Sequence, residues 1–300
     1  MSDSPSRTRG QLVHRQAVLA VSVLDDVDLT PHPDGALLDG PSPVLVPWAD
    51  VAEAIGPHAA LEPVAHRRLS ECLRLHRLVA DLGPMAADVL RRSARLLALP
   101  PDHASHPGPG WVRARPMGGA LERGIGLLGV LNDLDDLVVL PPSVARVLGA
   151  DPWWHDLVSH ADEMGNLCVN RLQRDHRSRY DRGTCATQTQ LVLRPVGGVD
   201  VPTLLTTPAV RSYLASSDGS GMRAVAAPMR SRGWYDLARI DPAFVQAAWA
   251  ATNEHDRGLR RPLLITVDEV VLGPAGGDMV AASLADPVAT SLFARDVRYR

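Results

Sequence analysis

The longest uninterrupted helical pattern in the chain covers residues 151–182, and it constrains the fold more than any other segment. Asp151 followed by Pro152 favours a helix start, because an aspartate can accept a hydrogen bond from an unpaired amide and proline presets the helical φ. The same kind of start recurs at Thr207-Pro208, Asp241-Pro242 and Asp286-Pro287. One side of the long pattern is apolar and small, with Ala161, Cys168 and Leu172 in line, so the sequence predicts a scaffold helix with that side in the core.

The opposite side of the same helix carries the only stripe of acids and histidine in the chain. At 100° per residue, Asp156, His160 and Glu163 fall close to one line. This spacing suggests a catalytic group in which Asp156 orients His160 as a general base beside Glu163, or a metal site made by all three. The alternative is a solvated helix face, and the stripe becomes a site only if other segments cover it.

The segments before this helix indicate strands first and helices second. Residues 1–10 are polar and expected to be disordered, residues 16–24 predict a buried strand, and residues 44–46 predict a short strand beyond a turn at 33–35. Helices are expected over residues 48–55, 62–82 and 84–97, the last two as a hairpin through Gly83 and Pro84. We therefore expect an N-terminal β-hairpin or meander with a helical hairpin over residues 11–99.

A loop rich in proline, glycine and histidine at residues 100–110 is the best candidate boundary, although one continuous domain is also compatible with the sequence. Beyond it, residues 111–300 mix helices that start at Asp-Pro or Thr-Pro with strand-like runs and show no strict βαβ rhythm. The strand-like runs lie at 111–117, 118–140, 190–195, 223–228, 263–267 and 270–272. The predicted fold class is α+β, with a mixed sheet in the larger C-terminal part.

The chain contains no lysine, so all 31 basic residues are arginines. This excludes pyridoxal phosphate bound as a Schiff base and a P-loop for nucleotides, because both need a lysine; the cofactor is otherwise unknown. A high-GC bacterial genome explains the arginine bias. The net charge of −3 argues against nucleic acid and anionic membranes as partners. Three widely spaced cysteines and the absence of a signal peptide or apolar span predict a soluble, cytoplasmic protein.

A second group of candidate residues follows a predicted buried strand. Arg230, Arg232, Trp234 and Tyr235 place two arginines beside two aromatic rings, which is what a pocket for a ring-bearing anion needs. The alternative is a loop held by cation–π contacts. Arg174, within the arginine cluster that ends the long helix, is a further candidate for binding a carboxylate or phosphate, although cations there also complement the helix dipole.

Three short motifs resemble known sites. The glycines of Gly124-x-Gly126-x-x-Gly129 match the dinucleotide-binding fingerprint, but no crossover helix fits after them, which favours a glycine-containing strand or turn. The spacing in residues 26–30, Asp-Val-Asp-Leu-Thr, resembles the nucleophile motif of haloacid-dehalogenase-type phosphatases after a predicted strand, although the turn that follows favours an acidic loop. Cys72 and His76 lie one helical turn apart among leucines, which favours a core cysteine over a nucleophile.

Two functions are compatible with these patterns. The first is an enzyme that acts on a small anionic metabolite by acid–base or metal-assisted chemistry, with His160, Asp156 and Glu163 moving protons and Arg230 and Arg232 holding the substrate. The second is a non-enzymatic interaction or regulatory module whose long helices form a homodimer or a partner interface. Whether the protein is an enzyme stays open at this point.

Overall fold

The computed structural model describes residues 5–57, 59–131, 136–180, 192–216, 221–235, 240–268 and 270–273. The chain divides into two compact units. Unit 1 comprises Met1–Arg95, Ala104–Val112 and Gly124–Leu157, and unit 2 comprises Leu96–His103, Arg113–Arg123 and Val158–Arg300. Helices and antiparallel strands occur together, which confirms the α+β class. The candidate boundary at residues 100–110 contributes residues to both units.

Unit 1 begins with a helix and a three-stranded meander. The elements are α1 (Pro5–Asp25), β1 (Leu29–His32), β2 (Gly35–Leu38) and β3 (Val44–Pro47), with strand order β1-β2-β3 and both pairs antiparallel. Gly35 opens β2 where the next strand passes very close, since a Cβ there would lie 2.1 Å from the Val46 carbonyl oxygen. The expected N-terminal meander is therefore present.

Helix α1 replaces the strand that the sequence predicted for residues 16–24. Ala17, Val18 and Val21 are buried at helical spacing, while Leu19 and Val23 are 48% and 80% exposed. A short run of valine, alanine and leucine is compatible with either a strand or a helix, and here packing against the meander selects the helix. Because α1 begins at Pro5, residues 5–10 are helical where the sequence suggested disorder.

Three helices that the sequence predicted in unit 1 are present, and the third of them ends earlier than expected. They are α2 (Trp48–Ile55), α3 (Pro63–Leu82) and α4 (Ala86–Ser93). Gly56 and Gly83 end the first two at positive φ of 68° and 53°, a conformation that glycine adopts without strain. Helix α4 stops at Ser93 instead of residue 97, because Ala94–Leu99 forms strand β4 of a sheet with order β4-β5-β6. Sheet pairing outweighs the helix propensity of that leucine-rich segment.

The middle of the chain contains two further strands, β5 (Glu122–Leu128) and β6 (Leu137–Val139), followed by helix α5 (Pro142–Leu148), which the sequence reasoning did not identify. Within unit 1, β5 and β6 pair antiparallel from Gly126 opposite Val139 to Leu128 opposite Leu137. The strand expected over residues 111–117 is absent: that segment holds the end of a 3₁₀ turn and one isolated bridge, from Ala114 to Arg123.

Helix α6 (Trp153–Tyr180) is the long helix that the sequence predicted. Ala161, Gly165, Cys168 and Leu172 are buried along one side, as expected from the apolar stripe, and the last two belong to the main hydrophobic core of unit 2. The residues after Tyr180, including Arg182, lie outside the described part of the chain.

The remaining elements of unit 2 are short. They are β7 (Val192–Leu193), α7 (Val201–Leu205), α8 (Pro208–Ser216), β8 (Met222–Val225), β9 (Gly233–Trp234), α9 (Pro242–Ala251), β10 (Leu263–Thr266) and β11 (Val270–Leu272). They form a three-stranded antiparallel sheet of order β11-β10-β8 and a two-stranded antiparallel sheet of β7 and β9. The starts of α8 and α9 at Pro208 and Pro242 confirm two of the predicted helix starts, whereas Asp286 lies outside the described residues. In the described part of the chain, no helix is both long and apolar enough to cross a bilayer.

Candidate functional site

The acids and the histidine of the α6 stripe differ in their exposure and in their hydrogen bonding. The Asp156 carboxylate accepts a 2.5 Å hydrogen bond from Arg91, and both side chains are more than half exposed. Glu163 is exposed. His160 is half-buried, and its Nε2 atom is buried with no hydrogen-bond partner. No described hydrogen bond or ion pair joins the three, and no group of three potential metal ligands occurs in the described residues. A proton-transfer role for the stripe therefore stays a prediction.

Arg230 belongs to a buried structural network instead of an open clamp. Its Nε atom donates a 2.8 Å hydrogen bond to Asp200, and one of its terminal nitrogens donates a 3.1 Å hydrogen bond to the His255 carbonyl oxygen. The Asp200 carboxylate also accepts a 3.0 Å hydrogen bond from the Thr203 amide and so caps α7. Because the guanidinium is buried and its charge is paired with the buried Asp200 carboxylate, the arrangement favours a stabilising role for Arg230.

The other residues predicted to bind substrate lie in different surroundings. Arg232 is exposed, Trp234 is buried against the edge of the Phe244 ring, and Arg174 is exposed and donates to the Asn170 carbonyl oxygen. Tyr235 is buried, and burial is the main cause that raises the pKa of its hydroxyl. None of these side chains lines either cavity described below, so their role in binding stays a prediction.

A buried polar cluster in unit 1 joins the predicted core cysteine to a serine of α5. The Ser143 hydroxyl lies 3.1 Å from His76 Nε2 and 3.7 Å from Cys72 Sγ. Burial raises the pKa of the Cys72 thiol to about 12 and lowers that of His76, where the Asp50 charge opposes the effect of burial. An adjoining cavity of about 20 Å³ is lined by Cys72 and Ser143 and has room for one water molecule. The cluster thus stabilises the core and offers no space for a substrate.

A much larger cavity lies entirely within unit 2 and has a volume of about 510 Å³. This volume falls within the usual range of about 300–1,000 Å³ for small-molecule sites. Its apolar wall is formed by Pro100, Pro101, Ala120, Leu259 and Leu272. Its polar groups come from Asp102, Gln246, Arg260 and Arg261, whose side chains lie on exposed residues. The cavity therefore combines an apolar wall with two permanent positive charges and one carboxylate.

Backbone hydrogen bonds hold the apolar wall of this cavity in place. The Leu259 amide donates a 2.7 Å hydrogen bond to the Ala227 carbonyl oxygen, and the Gly258 amide donates one of 2.9 Å to Pro228. Gly258 is needed at this close approach, since a Cβ there would lie 2.4 Å from the Ala227 carbonyl oxygen. Because this wall is already fixed, it loses little conformational entropy when a ligand binds.

Trp249 of α9 contacts Arg260, one of the two arginines that line the cavity. The guanidinium carbon of Arg260 lies 5.2 Å from the centre of the Trp249 ring, and that of Arg257 lies 4.4 Å from it, so two cations contact one indole. The Trp249 Nε1 atom donates a 3.2 Å hydrogen bond to the Gly258 carbonyl oxygen, which fixes the ring. The Arg261 side chain makes no hydrogen bond or ion pair with the described residues, so its donors are available to a ligand.

The sequence motifs weighed above have structural explanations. Gly124 and Gly126 lie within β5, and Gly129, at φ 66°, follows it in a turn, so the glycine-containing strand is confirmed and no nucleotide loop is formed. Gly124 faces Trp111, whose indole would lie 2.1 Å from a Cβ at that position. The structure agrees with an acidic loop at residues 26–28 and not with the phosphatase-like motif, because helix α1 precedes Asp26 where the motif requires a strand.

No protein-family model, no curated protein and no solved structure matches this chain. Its function must therefore be inferred from its own residues.

Sequence reasoning missed the cavity because its wall comes from distant segments. Pro100 to Asp102 belong to the segment that we interpreted as a domain boundary, and Gln246 lies on a helix with no other polar signal. The adjacent pair Arg260-Arg261, placed between a glycine-leucine turn and a predicted strand, was the one local signal that could have identified it.

Proposed function

We propose that unit 2 binds a small organic anion with an apolar body in the 510 Å³ cavity. One observation carries this proposal: the adjacent arginines Arg260 and Arg261 line the same cavity as a set of apolar side chains. An arginine donates several hydrogen bonds in a fixed plane and matches a carboxylate, sulfonate or phosphate group, while the apolar wall suits a ring or an alkyl chain. The class of ligand agrees with the sequence expectation, although the residues differ from those that the sequence suggested.

Binding is better supported than catalysis by this arrangement. Among the described residues that line the cavity, Asp102 is the one carboxylate, and neither a histidine nor a cysteine lines it. If the ligand is also a substrate, acid–base chemistry in the cavity falls to Asp102 and not to the α6 stripe. Asp102 is therefore the residue to test for catalysis in this cavity, and the role expected for the α6 stripe stays a separate prediction.

The proposal can be tested with 8-anilinonaphthalene-1-sulfonate, a fluorescent anion with an apolar body, and with N-phenyl-1-naphthylamine, its uncharged analogue. We expect the sulfonate to bind at least tenfold more tightly than the amine. Arg261→Gln should weaken sulfonate binding about tenfold, equivalent to about 1.4 kcal/mol, and should leave the amine unaffected. Gln246→Trp should weaken both probes, because a large side chain at an exposed rim position fills the opening.

Arg194→Gln is the matched control, because Arg194 is an exposed arginine of the same unit outside the cavity. It should leave both affinities unchanged. Equal binding of the two probes to the unaltered protein, or equal effects of Arg194→Gln and Arg261→Gln, would show that the cavity arginines do not select an anion. Circular dichroism of each variant should confirm that the fold is kept.

Self-association is a second candidate function, and one feature of α1 favours it. Leu12, Leu19 and Val23 lie along one side of the helix and are 58%, 48% and 80% exposed. Apolar side chains in a row on a helix surface are suited to packing against the same row of a second copy. Light scattering after size exclusion should give a dimer for the unaltered protein and a monomer for Leu19→Glu. A monomer in both cases would remove this candidate.

A further inference from the structure

Two arginines of unit 2, away from the residues of the large cavity, have buried donors that no described group accepts. The Nε atoms of Arg123 and Arg211 are both inaccessible to solvent and both lack a hydrogen-bond partner. Both side chains are half-buried, and neither makes an ion pair with the described residues. A buried guanidinium donor without a partner is unfavourable, because arginine cannot give up its charge to avoid the cost of desolvation.

The fold brings Arg211 close to one carboxylate of α6, Asp162, and the charges of both act on Arg123. Arg123 lies on β5, where its backbone is fixed by hydrogen bonds with Ala114. Helix α6 passes very close to the start of α8, since a Cβ on Gly165 would lie 2.4 Å from the Thr207 hydroxyl oxygen. Asp162 lies one turn before Gly165 and Arg211 one turn after Thr207, so this close approach places the carboxylate and the guanidinium in the same neighbourhood.

The electrostatics agree with this placement. Burial is the main cause that lowers the pKa of Arg123, the Asp162 charge opposes it, and the Arg211 charge adds to it. The Asp162 carboxylate accepts no hydrogen bond and forms no ion pair with the described residues. The single negative charge of Asp162 therefore offsets only one of the two positive charges of Arg123 and Arg211. The Nε donors of both arginines have no described acceptor.

We propose that Arg123 and Arg211 form a second binding site, for an oxyanion such as the phosphate or carboxylate group of a small molecule. An oxyanion offers several acceptor oxygens, so it can receive hydrogen bonds from both guanidinium groups and balance their charge. Asp162 sets a limit on affinity, because its carboxylate repels the anion. The site shares no residue with the large cavity and does not depend on the function proposed for it.

Phosphate binding tests the site, measured by isothermal titration calorimetry at constant ionic strength with chloride as the balancing ion. We expect Arg211→Gln to weaken phosphate binding at least tenfold and Arg123→Gln to do the same. Asp162→Asn should strengthen binding several-fold, because it removes a repelling charge. Arg194→Gln, a change at an exposed arginine that directly follows β7, should leave phosphate affinity unchanged.

The same experiment can distinguish a free oxyanion from the phosphate group of a metabolite, by comparing inorganic phosphate with glycerol phosphate. Tighter binding of the ester supports a phosphorylated metabolite, and equal binding supports a free oxyanion. The proposal is overturned if chloride alone reproduces the heat of phosphate binding, if Arg211→Gln binds phosphate like the unaltered protein, or if Asp162→Asn weakens binding. Should Arg123→Gln fail to fold, the opposite effects expected for Arg211→Gln and Asp162→Asn still decide the question.

Discussion

Replacing Arg230 by methionine should destabilise unit 2 by about 3–5 kcal/mol, the range for removing one member of a buried ion pair. The Arg230 and Asp200 side chains are only 10% and 8% exposed. The substitution removes hydrogen bonds to the Asp200 carboxylate and to the His255 carbonyl oxygen, each worth about 1.5–3 kcal/mol when one partner is charged. It also leaves Asp200 buried, with the Thr203 amide as its remaining described partner.

Urea-induced unfolding followed by circular dichroism measures this loss as a change in the free energy of unfolding. Arg91→Met is the control, because Arg91 forms a 2.5 Å ion pair with Asp156 and the two side chains are 54% and 61% exposed. An exposed pair of this kind contributes about 0–1 kcal/mol. Asp200→Asn combined with Arg230→Met should cost less than the sum of the two single changes, since neither charge is then left alone. A loss below about 1 kcal/mol for Arg230→Met, equal to that of the control, would refute the argument.

Two further predictions concern the buried cluster of unit 1. Burial lowers the pKa of His76 in the folded protein, whereas in the unfolded chain His76 takes up a proton near the ordinary pKa of about 6.5. The free energy of unfolding should therefore be constant above that pH and should fall as the pH drops below it. His76→Gln should reduce this slope in unfolding experiments across pH 5–8, and an unchanged slope would exclude His76 as its source. Cys72, with a thiol pKa of about 12 and almost no exposure, should resist iodoacetamide at pH 8 until the protein is unfolded; labelling of its peptide in the native protein, detected by mass spectrometry, would contradict the burial.

Local sequence patterns predicted those elements whose residues carry their own boundary signals. Gly56 and Gly83 end their helices where expected, and Pro208 and Pro242 begin theirs, because these residues restrict backbone conformation wherever they occur. The apolar side of α6 also follows from the sequence, since the period of 3.6 residues depends on the helix alone. These predictions need no knowledge of what packs against each element.

In segments without such signals, the choice between helix and strand depends on the elements that pack against them. The valine- and leucine-rich residues 16–24 and the leucine-rich residues 94–97 have similar composition, yet the first segment is helical and the second belongs to a strand. Hydrophobicity and length are compatible with both conformations in each case. The choice follows from the sheet or helix that each segment packs against, and that information is spread over the whole chain.

The candidate sites also divide into features that the sequence determined and features that depend on the tertiary structure. The sequence by itself determined that all positive side-chain charges other than histidine are arginines, that lysine chemistry is impossible, and that α6 has one core side and one polar side. Only the tertiary structure decided which arginines are available: Arg230, prominent in the sequence, is bound to Asp200, whereas Arg261 lies at the rim of a cavity and Arg211 has a buried donor with no partner. The reason is physical. Whether a charged side chain binds a ligand depends on which groups already neutralise it, and those groups come from segments far apart in the chain.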